Sequence, residues 1–396
     1  IASTIFLSPY FRTSSYWGLE ENYGLNCILE ELPGERDRNY LVKQKSGELF
    51  VLKISNSAES LDFMNVQNYA LEKISKVIEK GRIPEVCPNI NGEFITSVIS
   101  SKGNSHLMRL VRYVKGLPMA KYKPHTKDFL NELGSMCGTV TNSLTNISLN
   151  PTERKLLWEI QDVRNTLNQY ISYINDNKLQ KCVSQSLAIY CNSLLPLEKK
   201  LRRGWIHNDF NDYNILVSPS LIGFPNFGLI DFGDMTYSYL VADPAIACAY
   251  AMLEKSDSLD AAFHFIRGFH SRLPLEEIEI EILFPMILMR LCLSVTIGAF
   301  QQQNDPENKY LGISEKPARE LLMELQNVNH KYVHYLLRDA CKMEACTSSL
   351  EFSNWQKKAN GSFHQIFGKN CDTKRKLVLD LSVGSSFSAM TENMSI

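Results

Sequence analysis

Three oxygen-bearing side chains stand at spacings suited to phosphoryl transfer: Asp209 and Asn214 in one polar turn, and Asp231 at the end of the next apolar segment. The turn, His207-Asn208-Asp209-Phe210-Asn211-Asp212-Tyr213-Asn214, lies between Trp205-Ile206 and Ile215-Leu216-Val217, and Leu229-Ile230 leads into Asp231-Phe232-Gly233-Asp234. Mg²⁺ prefers oxygen donors and keeps phosphate oxygens and waters in its shell, so one amide from Asn214 and one carboxylate from Asp231 suffice from the protein. Mn²⁺ accepts the same donors. An ionised Asp209 would take or orient the proton of an acceptor hydroxyl, while Asn214, farther along the loop, faces the metal. His207 suits a loop organiser, because a ring nitrogen can fix the backbone near Asp231 or Phe232. The competing reading is a polar hairpin turn joining strands 204–206 and 215–217. Turn formation alone, however, does not require a second strand that ends in Asp-Phe-Gly.

This constellation resembles the kinase-like phosphotransferases that modify small molecules, among them aminoglycoside, choline and homoserine kinases, whose catalytic pattern is matched by His207, Asp209, Asn214 and Asp231-Phe232-Gly233. Within that group the chain is most similar to the hydroxylysine kinase branch. The similarity is carried by the loop from Ile206 to Leu216, by Leu32-Pro33-Gly34-Glu35-Arg36-Asp37-Arg38-Asn39-Tyr40-Leu41-Val42, by Val66-Gln67-Asn68 and by Ile230 to Met235, and it covers roughly residues 15 to 335. The resemblance implies an α+β, two-lobed protein-kinase-like fold with a small antiparallel-sheet lobe and a larger, mostly helical lobe. Its expected divisions are 1–114 for the nucleotide-binding lobe, 115–335 for the catalytic and acceptor-binding lobe, and 336–396 for an extension or interdomain connector. It also implies GTP or ATP as donor, with GTP slightly preferred, and Mg²⁺ as the metal. The acceptor would be a small hydroxylated amine or amino acid, first 5-hydroxylysine, with choline, ethanolamine, homoserine or another small alcohol as alternatives. A catalytically silent nucleotide-binding module is the reading from a different class.

The elements before the loop must cover a nucleotide. Cys27 to Leu32, Asn39 to Val42 and Leu49 to Ile54 read as three strands, with Pro33 to Arg38 and Ser46-Gly47 as their turns. On the resemblance, the first turn is the phosphate-covering loop, although it holds one glycine only. Lys53 stands between Leu52 and Ile54, where an unpaired ammonium would be costly if buried, so it should meet the nucleotide's phosphates. The alternative is an edge-strand lysine reaching water. Leu61 to Ile78 has the apolar spacing of a helix packed on the sheet. Where relatives offer a glutamate to the strand lysine, this helix has Gln67, which could hydrogen-bond Lys53 but brings no charge; Glu59 and Glu72 have poorer phase. Glu93 to Ile99 and His106 to Tyr113 should pair around Ser101-Lys102-Gly103-Asn104, and the lobes should join near Gly116-Leu117-Pro118. Leu110 would then border the base pocket, and Val111, Arg112, Tyr113 and Val114 would offer backbone groups to a purine.

Residues 125 to 200 read mainly as helices of the large lobe, and Ala245 to Leu253 as another, with Asp243 either capping it or anchoring a basic side chain. Ile282 to Phe300 is apolar enough to raise a membrane span, but Arg290 is central and Pro285 interrupts it. A charge at mid-membrane costs about 2.5–3.5 kcal/mol, which favours a buried lobe helix. Arg290 then needs a polar partner or a substrate carboxylate. An acceptor ammonium could be held by Asp212, Asp234 or the Glu276-to-Glu281 group.

Composition narrows the partners. The net charge of -1 comes with no basic stripe, which argues against nucleic acid. The ten cysteines are scattered without metal-ligand spacing, so they read as free thiols of a reducing compartment, and a cytoplasmic location is expected. Asn146-Ile147-Ser148 and Asn360-Gly361-Ser362 match glycosylation triplets, without a secretory segment to make them relevant. The tail, including Val378-Leu379-Asp380-Leu381-Ser382-Val383-Gly384-Ser385, resembles the connector ahead of further catalytic domains, among them a pyridoxal-phosphate-dependent aminotransferase-like enzyme. An ordinary packed extension is the alternative.

Overall fold

The computed structural model describes residues 19–34, 36–100, 103–149, 156–220, 225–304 and 315–344. The readings placed on Asn360 and on the tail through Ser385 lie outside them. β1 (Cys27–Leu32), β2 (Arg38–Gln44) and β3 (Leu49–Ile54) form an antiparallel meander. β6 (Ser105–Arg112) pairs with β3, and its other edge takes β4 (Val86–Cys87) and β5 (Thr96–Ile99). Two-residue β4 offers no periodic signal and is absent from the expected strands; β5 starts at Thr96 rather than Glu93.

Burial in β3 alternates, with Phe50, Leu52 and Ile54 inward and packed with Tyr40, Val42, Met108 and Leu110 under Leu19 and Tyr23. The period of two puts Lys53 on the opposite face, beside its register partner Arg109. That face carries Leu49 and Val51 as well as Lys53, and Arg109 on it is hydrogen-bonded to Gln67 and Asn68 of α1 (Leu61–Ser75). The helix's apolar stripe of Phe63, Val66, Ala70, Leu71 and Ile74 instead joins the core of the large lobe and packs on α2 (Lys127–Thr145). The expectation that α1 packs its apolar face on the sheet is corrected accordingly. Ser60 caps α1, its side chain accepting from the Phe63 N–H at 3.2 Å.

In the second lobe β7 (Leu117–Pro118) pairs with β9 (Ile215–Ser218), β9 with β10 (Asn226–Leu229), and β8 (Arg203–Ile206) with β11 (Thr236–Tyr239). The strands flanking the polar turn therefore belong to different sheets, which removes the hairpin reading. The helices are α2, α3 (Val163–Tyr170), α4 (Asn177–Leu194), α5 (Ala242–Ala251), α6 (Ser258–His270), α7 (Glu277–Asn304), α8 (Glu315–Leu325) and α9 (His330–Ala340). The most apolar window of α7, with mean hydropathy 2.0, is 94% buried inside the protein, between α4, α5, α8 and other helices. It is a lobe helix. α9 packs on α6 and α7, so the described lobe runs past residue 335 to at least Ala340.

Candidate active site

The loop between β8 and β9 is held from below by Asp243. This buried carboxylate does not cap α5, whose first turn contains it, and among the described residues it pairs with no basic side chain. It accepts the backbone N–H of His207 at 3.1 Å and of Asn208 at 2.8 Å, and the Thr141 hydroxyl at 3.0 Å. Burial pushes its carboxyl up to about 6, against the pull of those donors. Asn208 then turns with φ 64°, a left-handed conformation that asparagine tolerates, and its amide donates to the Asp234 carbonyl at 3.2 Å. The next residue, Asp209, is thereby turned into the cleft.

His207 is a neutral brace. Its Nδ1 accepts the Asp209 N–H at 3.2 Å, so Nε2 carries the proton and donates to the Ile230 carbonyl, also at 3.2 Å. Burial lowers its pKa to about 4. Phe210 and Phe232 enclose the ring, with centroids 4.7 Å away in each case. The imidazole thus ties the Asp209 loop to the strand end that carries Asp231.

Asp209 is surrounded by donors. Oδ1 accepts from Arg290 Nη2 at 2.7 Å, and Oδ2 from Asn214 Nδ2 at 2.7 Å and Asn211 Nδ2 at 3.0 Å. Asn211 Oδ1 accepts the backbone N–H groups of Tyr213 and Asn214, both at 2.8 Å, which closes the loop tightly. Burial raises the Asp209 pKa, with the Arg290 guanidinium opposing it. The outcome is a carboxylate more basic than a surface one, oriented on both oxygens. Because the Asn214 NH₂ group points at Asp209, its amide oxygen points the other way.

Asp231 has φ 61°, and its Oδ1 accepts Lys53 Nζ at 3.0 Å and the Gly233 N–H at 3.3 Å. Lys53 holds this carboxyl well below the usual range, so it is ionised at any physiological pH. These groups converge on one cleft of about 210 Å³. Its upper wall includes Pro33, Gly34, Arg36, Asn39 and Lys53; its floor includes Trp158, Asp209, Asn214, Asp231, Tyr250 and Arg290. Asn214 and Asp231 both line this cleft, and an amide oxygen and a carboxylate oxygen are donors of the hard kind that Mg²⁺ accepts beside phosphate and water ligands. Among the described residues there is no cluster of three or more His, Cys, Asp or Glu side chains that could hold a metal by itself.

Several expected contacts are otherwise. Gln67 Oε1 accepts Arg109 Nη2, and Asn68 Oδ1 accepts Arg109 Nη1 at 2.7 Å, so Gln67 neutralises nothing at Lys53. The reason is register: Arg109 stands opposite Lys53 on the next strand and reaches the helix, while Lys53 reaches across to Asp231. Asp234 is ion-paired with Arg36 of the β1–β2 turn. Glu279 and Glu276 face Arg202, and Glu277 faces Arg338, away from the cleft. Of the stretch from Leu110 to Val114, the N–H groups of Arg112 and Tyr113 donate to the carbonyls of Glu85 and Leu49 at 2.8 and 3.1 Å, so those two are engaged in holding the sheet. Leu110 and Val111 are paired with β3 and β4, and Val114 packs on Gly228. Asp212 lines a separate cavity beside the loop.

Sequence reading missed Arg36, Asn208, Trp158 and Tyr250. Arg36 sits in a turn read only for its glycine. Trp158 and Tyr250 place their rings 5.1 and 5.3 Å from the Arg290 guanidinium, and Tyr250 OH accepts from Arg290 Nε at 3.2 Å. The central arginine of an apolar helix was the available signal.

Residues 29–274 match the model of a family described as the phosphotransferase enzyme family. A hydroxylysine kinase of Danio rerio is 28% identical over 306 residues, covering 74% of this chain and 85% of the relative. A hydroxylysine kinase of Bos taurus is 27% identical over 350 residues, covering 82% and 91%. Among solved structures, a microcompartment-associated aminopropanol kinase superposes with a TM-score of 0.61 at 15% identity, over 80% of this chain and 99% of the other.

Proposed function

From the premise that this chain belongs to the phosphotransferase enzyme family, we propose that it transfers the terminal phosphate of a purine nucleoside triphosphate, GTP ahead of ATP, to the side-chain hydroxyl of 5-hydroxylysine. The relatives named hydroxylysine kinase support the acceptor, since they are similar over most of their own length. The observation that carries the reaction type is the convergence of Asp209, Asn214, Asp231 and Lys53 on one cleft.

In this reading the acceptor oxygen lies against Asp209 and forms a bond to the terminal phosphorus as the bond to the nucleoside diphosphate breaks; its proton passes to Asp209. Arg290, Asn211 and Asn214 hold that carboxylate in line. Lys53 positions the donor's phosphates, and the β1–β2 turn lies over them. Asn214 and Asp231 would hold Mg²⁺, which supplies charge neutralisation at the phosphate oxygens. The small lobe to about residue 114, the junction after it and a cytoplasmic location belong to the same proposal.

The test is Asp209→Asn. The variant should still fold, less stably because Arg290 loses its counter-ion, should bind nucleotide as the parent does, and should lose turnover by about 10²–10⁴-fold, the usual contribution of a general base. Nearly full turnover at saturating substrates would remove Asp209 from the role of base.

A further inference from the structure

Beside Lys53 on the sheet stands a second cation. Arg109 on β6 is the register partner of Lys53 on β3, so the two side chains leave the sheet on one face. Only 4% of Arg109 is exposed, and it is absent from the walls of the catalytic cleft. A buried guanidinium stays protonated, and its usual partner is a carboxylate. Arg109 is held by two neutral amides instead. Gln67 Oε1 accepts from Nη2 and Asn68 Oδ1 from Nη1 at 2.7 Å, while the enclosed Nε meets no acceptor among the described residues. Burial lowers its pKa, and Asp37 and Asp231, both on the cleft, and then Glu59 oppose that lowering from a distance. The charge is therefore tied down without being neutralised.

Like charges directly opposite on neighbouring strands repel, so setting Arg109 against Lys53 costs stability and requires a reason. A carboxylate in place of either amide would have cancelled the guanidinium's charge with no loss of hydrogen bonding. The repulsion also has a direction. With the amides of α1 taken up by Arg109, the Lys53 ammonium leans across the cleft to Asp231 at 3.0 Å. The uncancelled charge leaves a positive potential on the wall that carries Lys53, and a polyanion in the cleft would be drawn to it. We propose that Arg109 is a positioning residue for the donor nucleotide: held by Gln67 and Asn68 without a counter-ion, it turns Lys53 from the helix into the cleft and adds to the attraction for the phosphate chain. The placing of phosphates beside Lys53 rests on the function proposed above. Arg109 touches no phosphate itself and takes no part in bond making.

The experiment is calorimetric titration of the full chain, and of Gln67→Glu and Arg109→Met, with the tri-, di- and monophosphates of guanosine and adenosine in the presence of Mg²⁺. Gln67→Glu keeps an acceptor for Arg109 and supplies the missing negative charge, so it separates the charge from the tie between β6 and α1. A unit charge felt across about 10 Å at an effective dielectric of about 20 changes an equilibrium constant by about tenfold. Gln67→Glu should therefore weaken the triphosphate by about tenfold, the diphosphate less and the monophosphate least, while the Tm of the free protein is kept or raised. Arg109→Met should reproduce that order without bringing in a carboxylate that could capture Lys53. A purely structural tie predicts otherwise. Unchanged or tighter triphosphate binding in either variant, or an equal loss for all three phosphates, would overturn the proposal and leave the proposed function standing. The graded loss in a chain that phosphorylates no hydroxyl would instead sink the proposed function and leave the role of Arg109 standing. A parent chain that binds none of these nucleotides would remove both.

Discussion

Arg290 is the residue that most changes meaning between sequence and structure. In the sequence it is a charge stranded in an apolar helix that must find an anion; in the structure its partner is Asp209, 81 positions earlier, at 2.7 Å. The need was legible from the desolvation cost of a buried guanidinium, but the partner was not, because only the packing of α7 under the loop brings the two together. The same limit applies to Gln67, whose partner is set by the register of β6. By contrast, Asp209, Asn214, Asp231 and Lys53 were legible, since loop spacing and strand alternation fix where they point. A prediction follows from the pair. Removing a cation beside Asp209 disfavours its ionised form, so its pKa rises, and turnover that requires the carboxylate fails at a higher pH as pH falls. Arg290→Met should therefore shift the acid limb of the kcat–pH profile upward as well as lower kcat. An acid limb that stays in place would mean Arg290 does not tune Asp209. The variant should also lose stability, by about 3–5 kcal/mol, because a buried charge is left unpaired.

Helix placement came through the apolar period, but the devices that fix helices against one another did not. α2 and α6 approach so closely that a Cβ on Gly134 would lie 1.9 Å from the Phe265 carbonyl oxygen, and one on Gly268 would lie 1.9 Å from that of Asn131. Only a known partner gives such glycines their meaning. Gly134→Ala should destabilise the protein by about 1–3 kcal/mol, read by urea denaturation, because neither backbone can yield cheaply. Unchanged stability would show that the helices have room to part. α2 also carries Thr141 to Asp243, the brace of the catalytic loop. Asp243→Ala leaves the N–H groups of His207 and Asn208 and the Thr141 hydroxyl without that acceptor; a loss of about 2 kcal/mol or more and a fall in kcat with little change in nucleotide affinity are expected. A variant with normal kcat would show that the loop holds its shape without the brace. Asp243 was noticed in the sequence for its place before a helix, yet what it holds is the loop on the other side of the lobe's core.

At the scale of the molecule, two hydrophobic cores are separated by a polar cleft: a small one under the sheet, and a large one that takes in α1 and all the later helices. The two-lobed α+β class was legible through the resemblance carried by the catalytic loop and the Asp-Phe-Gly segment, and the order of strand periods before helical periods agrees with it. That α1 belongs to the large core was not, since amphipathic spacing does not say which core a stripe joins. Lys53 to Asp231 and Arg36 to Asp234 bridge the cleft. A ligand seated there stabilises the folded state by mass action, about 2.7 kcal/mol at a hundred times its Kd. Mg²⁺ with GTP or ATP should thus raise the Tm, chelation of the metal should abolish most of the rise, and Asp231→Asn should show little rise at all. A nucleotide-induced rise that is indifferent to metal would remove Asn214 and Asp231 from metal binding. The central claim, transfer of a terminal phosphate to the hydroxyl of 5-hydroxylysine, is tested most directly by following label from γ-³²P GTP and ATP into product. The panel is 5-hydroxylysine, lysine, choline, ethanolamine and homoserine. Label should enter 5-hydroxylysine with the highest kcat/KM, GTP ahead of ATP, and should not enter lysine; preference for another acceptor, or label in none of them, would contradict the account.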